Sequence, residues 1–184
     1  GELLAAEGAI FPGVGAAGQA MQALSERGLE ATLRELVAVG RPFLGICLGC
    51  QILLEKSEEG DVQTLGLAPG VCRRFPADMR EEDGSPAPVP HMGWNRLDIV
   101  RPSRLLAGID PEAEFYFVHS YYVDTDPGLE IARTRYGRHF CSVYGRDGFW
   151  AVQFHPEKSG RPGLGLLENF YRYCREAPCS PKGS

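Results

Sequence analysis

The feature that most restricts how this chain can fold is the run Gly45-Ile46-Cys47-Leu48-Gly49. It follows a short apolar segment, residues 42–46, and precedes a helix-compatible one, residues 48–55. A Gly-x-Cys-x-Gly pattern between a strand and a helix is the layout of a nucleophile elbow, where the two glycines permit a tight, strained turn and close approach by substrate. Such a corner belongs to an α/β architecture. The flanking sequence agrees. Residues 9–11 read as a buried strand ending at Pro12-Gly13. Residues 21–39 carry Met21, Leu24, Leu29, Leu33, Leu36 and Val37 at helical spacing, interrupted at Gly28 and stopped at Gly40. Beyond Gly60 the pattern becomes strand-rich, with strands expected at residues 97–100, 115–123, 131–135, 140–144 and 149–154. Leu164, Leu167, Phe170, Tyr171 and Cys174 then mark one face of a closing helix. Residues 77–90, with Glu81-Glu82-Asp83 and Pro86, Pro88 and Pro90, read as a solvated loop or hairpin tip without chemistry. Residues 178–184 read as a frayed tail.

A chain of 184 residues, 43% of them hydrophobic, can bury one ordinary core, so a single domain over residues 1–177 is expected. A formal net charge of -5 lacks the basic excess that a nucleic-acid backbone demands. No run approaches the roughly 18 apolar residues of a membrane span. The opening Gly1-Glu2-Leu3-Leu4-Ala5-Ala6-Glu7 is not built like a secretion signal, so the cytosol is the expected compartment. Six cysteines (Cys47, Cys50, Cys72, Cys141, Cys174 and Cys179), scattered through a chain too large to need stapling, fit reduced thiols.

At the elbow, the helix N-terminus is expected to favour thiolate and so to lower the Cys47 pKa. The N–H of Leu48 is placed to donate to an oxyanion. The alternative is that Cys47 is a small buried hydrophobe. A cysteine nucleophile needs a base, and of His91, His119, His139 and His155 the last ends a strand in His155-Pro156-Glu157. Residues two apart on an extended chain share a face, so Glu157 can meet and orient the imidazole, with Pro156 helping to hold His155 extended. Two other patterns carry less. Gly13-Val14-Gly15-Ala16-Ala17-Gly18 matches a dinucleotide fingerprint, but the next strand ends in Ile46-Cys47 without the acid that would bind ribose. Cys47-Leu48-Gly49-Cys50 is a C-x-x-C with no second pair to complete a zinc site. A Cys47–Cys50 disulfide formed on mild oxidation would silence the nucleophile. Neither metal nor cofactor is expected.

Together, Pro12-Gly13-Val14-Gly15, Gly45-Ile46-Cys47-Leu48-Gly49-Cys50-Gln51 and Gln153-Phe154-His155-Pro156-Glu157 resemble the class I (triad) glutamine amidotransferases. Within that family, three further stretches are similar to the glutaminase subunits of imidazole glycerol phosphate synthases: Glu55-Lys56-Ser57-Glu58-Glu59-Gly60, Pro90-His91-Met92-Gly93-Trp94-Asn95 and Phe117-Val118-His119-Ser120-Tyr121-Tyr122-Val123. The resemblance implies an α/β, flavodoxin-like fold with a mixed, mostly parallel central sheet, helices on both faces and a smaller antiparallel sheet. The family's first strand and helix would precede the residues seen here. It also implies a catalytic triad of Cys47, His155 and Glu157, and an oxyanion strand of Gly13, Val14 and Gly15 working with Leu48. Glycines flanking Val14 would make a peptide flip easy there, so this loop is a candidate switch. Gln51 and Glu59, with the backbone of Ser120 and Tyr121, would hold the amino acid end of L-glutamine. Trp94, Tyr116 and Lys158 would face a cyclase subunit in a heterodimer. Cys50 stands where the family usually has methionine. Ammonia released into water near neutrality becomes ammonium, which has no lone pair to attack with, so a docked acceptor enzyme and a protected path are implied. The rival readings are another triad amidotransferase, serving anthranilate, pyridoxal phosphate or guanylate synthesis, and a silent binding subunit of the same fold. The His91-Met92-Gly93-Trp94 and His119-Ser120-Tyr121-Tyr122 blocks argue against the first of these.

Overall fold

The structure, a computed structural model, describes residues 2–177. The expected tail, residues 178–184, lies outside the described residues. In chain order the first half comprises α1 (Glu2–Ala5), β1 (Ala9–Gly13), α2 (Ala17–Glu26), α3 (Leu29–Ala38), β2 (Phe43–Cys47), α4 (Leu48–Ile52), β3 (Lys56–Ser57), β4 (Val62–Gln63) and β5 (Gly70–Arg74). The second half comprises β6 (His91–Arg96), β7 (Asp98–Ile99), β8 (Glu114–His119), β9 (Tyr121–Thr125), β10 (Glu130–Tyr136), β11 (Arg138–Arg146), β12 (Phe149–Val152) and α5 (Gly160–Glu176), with 3-10 turns at Arg104–Leu106 and Pro156–Lys158.

Among the described residues one mixed sheet runs β1-β2-β12-β11-β9-β5-β3-β4, with β10 and β7 added beside β11, and β6 and β8 form a separate antiparallel pair. Parallel pairing joins β1 to β2, β2 to β12 and β3 to β5, and the other pairings are antiparallel. β2 is buried along its whole length because it has a strand on each side and packed residues on both faces. Alternate residues of β2 and β12 feed two apolar clusters. Leu44, Ile46, Trp150 and Val152 face α5 through Leu166 and Phe170. Phe43, Phe149 and Ala151 face α2, α3 and α4 through Leu24, Leu33, Leu36 and Leu53. No helix among the described residues is long and apolar enough to cross a membrane.

Several local expectations change. The interruption read at Gly28 is a complete break into two helices, because Gly28 sits at φ 63. β1 is half-exposed rather than buried: among the described residues it ends the sheet, and Ile10 is 48% exposed. The run 115–123 breaks at Ser120 into β8 and β9, which lie in different sheets. The acidic segment is a hairpin tip as expected, with Arg80 bridged to Pro86, but it is anchored: Met79 and Ala87 are buried in the core and the Glu81 carboxylate accepts from the Gly137 N–H. β3 and β4 have only two residues each, too few to show a hydrophobic period.

Candidate active site

Three adjacent parallel strands set the geometry. β1 pairs with β2 so that Gly13 lies beside Cys47, and β2 pairs with β12 so that Ile46 lies beside Val152. All three chains therefore leave the sheet at one end, where parallel sheets bind their ligands. The first delivers residues 13–15, the second Cys47 and the third His155. A cavity of about 400 Å³ opens there, lined among others by Val14, Gly15, Cys47, Leu48, Gln51, Glu59, Ser120, Tyr121, His155 and Lys158. Of the expected oxyanion strand, Gly13 stays behind the cavity, where an added Cβ would meet the Leu48 Cβ at 3.2 Å.

The elbow is strained at the cysteine itself. Cys47 has φ 53 and ψ -113 immediately before α4, a backbone region that costs a residue with a side chain about 1–3 kcal/mol. Gly45 and Gly49 are not among the positive-φ residues. Instead of bending the turn, they let chains meet: a Cβ on Gly49 would lie 1.9 Å from the Phe11 carbonyl oxygen, and one on Gly45 would lie 2.6 Å from a Leu53 methyl. The expectation of an armed thiolate is also corrected. Burial pushes the Cys47 thiol up to about 11, ahead of the opposing pull of the Leu48 N–H; Glu157 adds to the rise and Lys158 opposes it. A helix of five residues does not offset that desolvation.

His155 is 3% exposed and lies beyond the end of β12, so the 3-10 turn, and not a strand, brings Glu157 to it. His155 Nδ1–H donates to Glu157 Oε1 at 2.7 Å. This fixes the proton on Nδ1 and leaves Nε2 as the basic nitrogen, and Nε2 has no hydrogen-bond partner. Ser159, which the sequence reading missed, clamps the turn. Its hydroxyl donates to the His155 carbonyl at 2.6 Å and accepts from the Tyr116 N–H at 2.9 Å, while the His155 N–H donates to the Tyr116 carbonyl at 2.9 Å.

Gln51 is buried, and its Nε2 donates to the Tyr121 carbonyl at 3.0 Å and to Gln153 Oε1 at 3.1 Å. Both amide protons are thus committed, so Oε1 is the group free for a ligand. Gln153 is a second residue that pattern reading left without a role. Glu59 accepts from the Ala17 N–H at 2.7 Å through Oε2. Trp94, Tyr116 and Lys158 come together beside the cavity: Trp94 is 54% exposed and edge-on to Tyr116 at 5.9 Å, with Lys158 Nζ 6.0 Å from the Tyr116 ring centre. Cys50 is wholly buried in the cluster on the helical α2–α4 face, whereas Cys47 belongs to the opposite one. Its thiol donates weakly to Gln153 Oε1 at 3.7 Å.

His91 and His119 are buried among the rings of Phe75, Phe117, Tyr136 and Phe140. Desolvation lowers His91 to about 4 and His119 to about 3. Below about pH 6.5 the unfolded chain takes up protons at these two sites and the folded one does not until near pH 4, so stability falls as pH falls through that window. The expected loss at pH 5 is on the order of 2 kcal/mol per ring. Urea unfolding at pH 7 and pH 5 measures it, and equal midpoints would contradict neutral, buried rings.

Comparison with known proteins identifies relatives of this chain. A glutamine amidotransferase class-I family model matches residues 6–174. The chain is 68% identical over 175 residues to the imidazole glycerol phosphate synthase subunit HisH of Desulfovibrio desulfuricans, covering 95% of this chain and 81% of that protein. It is 60% identical over 172 residues to the protein of the same name from Nitratidesulfovibrio vulgaris strain Miyazaki F, covering 94% of this chain and 81% of that one. A crystal structure of a glutamine amidotransferase superposes with a TM-score of 0.65 at 19% identity, covering 92% of this chain and 79% of that chain, a likeness of fold.

Proposed function

Because the chain belongs to the class-I glutamine amidotransferases, we propose that it is the glutaminase subunit of an imidazole glycerol phosphate synthase. In this reading it hydrolyses L-glutamine in the cytosol and passes ammonia to a cyclase subunit in a heterodimer. The HisH relatives, similar over most of the chain, support the subunit assignment. One observation carries the chemistry: the Cys47 thiol shares a cavity with an imidazole whose Nδ1 is held by Glu157 and whose Nε2 is free.

The Cys47 thiol gives its proton to His155 Nε2 as its sulfur attacks the glutamine carboxamide carbon. The raised thiol pKa makes that transfer part of the attack and leaves no standing thiolate. The N–H of Leu48 and one from the 13–15 strand hold the oxyanion. The proton on His155 moves to the departing nitrogen, the C–N bond breaks and ammonia leaves a thioester. His155 then takes a proton from water, hydroxide adds to the thioester, and glutamate departs as the proton returns to Cys47. Glutamine and water thus become glutamate, a proton released to solvent, and ammonia. Gln51 and Glu59, with the backbone of Ser120 and Tyr121, hold the amino acid end, and the Trp94, Tyr116 and Lys158 patch meets the cyclase.

Glutamate release measured for the chain alone, with the cyclase, and with the cyclase plus its ribonucleotide is expected to rise at each step. Hydrolysis that stays undetectable in the full complex would overturn the assignment. Val14→Pro, which deletes one N–H of the oxyanion strand, is expected to lower kcat by about 10²–10³ with little change in KM. An equal rise in KM would assign Val14 to ground-state binding instead.

A further inference from the structure

We propose that His91 and His119 are positioning residues that, with Asn95, form a hydrogen-bond relay fixing the peptide at Tyr121, and with it Gln51, against the glutamine site. The inference rests on the function proposed above and adds three residues to its machinery.

His119 Nδ1 lies 2.8 Å from the Tyr121 carbonyl oxygen, which can only accept, so Nδ1 carries the proton. His119 Nε2 is then an acceptor, and the His91 Nδ1 3.2 Å away must donate to it. That leaves His91 Nε2 as the acceptor for Asn95 Nδ2 at 3.4 Å, and Asn95 Nδ2 also donates to the Arg135 carbonyl at 2.8 Å. One direction of donation satisfies every member, from Asn95 through His91 and His119 to Tyr121. Strand register makes this possible: His91 lies directly opposite His119 in the β6–β8 pair, and Asn95 shares a strand face with His91. A protonated ring would break the chain, because it would set two donors against each other. The aromatic enclosure and the lowered pKa values keep both rings neutral.

The end of the relay matters for substrate. The Tyr121 carbonyl has two lone pairs, one taken by His119 and the other by Gln51 Nε2. Both partners line the cavity, as do Ser120 and Tyr121. Removing the His119 donor leaves the carbonyl directed by Gln51 alone at the first residue of β9, so the position of Gln51 is less tightly set.

The test uses the complex with the cyclase and a glutamine-like electrophile that alkylates Cys47. Asparagine can place an N–H near the position of Nδ1, whereas glutamine places its amide near Nε2 and cannot reach the Tyr121 carbonyl. His119→Gln is therefore expected to raise the half-saturating concentration about tenfold, the effect of one buried hydrogen bond, with an unchanged limiting rate. His119→Asn should restore most of it, although both variants lose similar packing. Equal behaviour of the two variants overturns the positioning role. Independently, ¹⁵N spectra of the parent at pH 7 should show both rings neutral with the proton on Nδ1, and any other tautomer overturns the relay. A parent with these tautomers whose Cys47 is not saturably labelled would instead overturn the proposed function.

Discussion

Replacing Cys47 by alanine is expected to reduce glutamine-driven turnover of the assembled synthase by about 10⁴-fold or more, and to leave ammonia-driven turnover unchanged. The size follows from the mechanism. Without the sulfur there is no thioester, and water must attack an unactivated amide, helped only by whatever oxyanion donors remain. Ammonia-driven turnover does not pass through this site, so its survival separates lost chemistry from lost folding or docking. The substitution removes one sulfur from a residue 8% exposed and relieves a strained backbone only slightly, so stability should change little. Comparable loss of both activities would mean that Cys47 is structural, the packing alternative raised by its composition alone.

Replacing Gly49 by alanine is the second large effect, and it acts through the fold. The new Cβ would stand 1.9 Å from the Phe11 carbonyl oxygen and 3.0 Å from its carbonyl carbon, contacts that only backbone movement can relieve. β1 would have to move from α4, and β1 brings residues 13–15 to the cavity. A loss of about 3 kcal/mol or more is expected, read as a fall in Tm of roughly 6–12 °C. Glutaminase activity of the surviving folded protein should fall with it, because the 13–15 strand and the Leu48 N–H would no longer face one point. Unchanged stability would show that the β1–α4 contact is looser than described. Alanine at Gly84, in an open loop with nothing within 4 Å of an added Cβ, is the control for glycine entropy; its φ of 83 leaves a smaller strain of its own.

The strand-to-helix corner at Cys47, the pairing of His155 with Glu157 and the strand-rich second half were legible because each is local: residue types at short spacing determine a backbone preference. Elsewhere local preference is overruled by packing. Residues 115–123 look like one strand, yet the chain breaks at Ser120 and β8 and β9 enter different sheets, because β8 pairs with β6 while β9 pairs with β5 and β11. Cys47 was expected to be acidic from its place at a helix start, but its burial depends on neighbours that no five-residue motif describes. Ser159 and Gln153 carry no spacing signal at all; each acts by reaching a group that only folding brings near.

By itself, the sequence determined the chemistry available: a thiol at a strand-to-helix corner, an imidazole with a carboxylate two residues on, and a glycine-rich strand with N–H groups to spare. Only the tertiary structure decided that these come together at one cavity. The reason is parallel pairing of β1, β2 and β12, which makes three segments distant in the chain end at the same edge of the sheet. Burial by the surrounding layers then set the charge states, since the energy of a thiol or an imidazole depends on the water removed from around it.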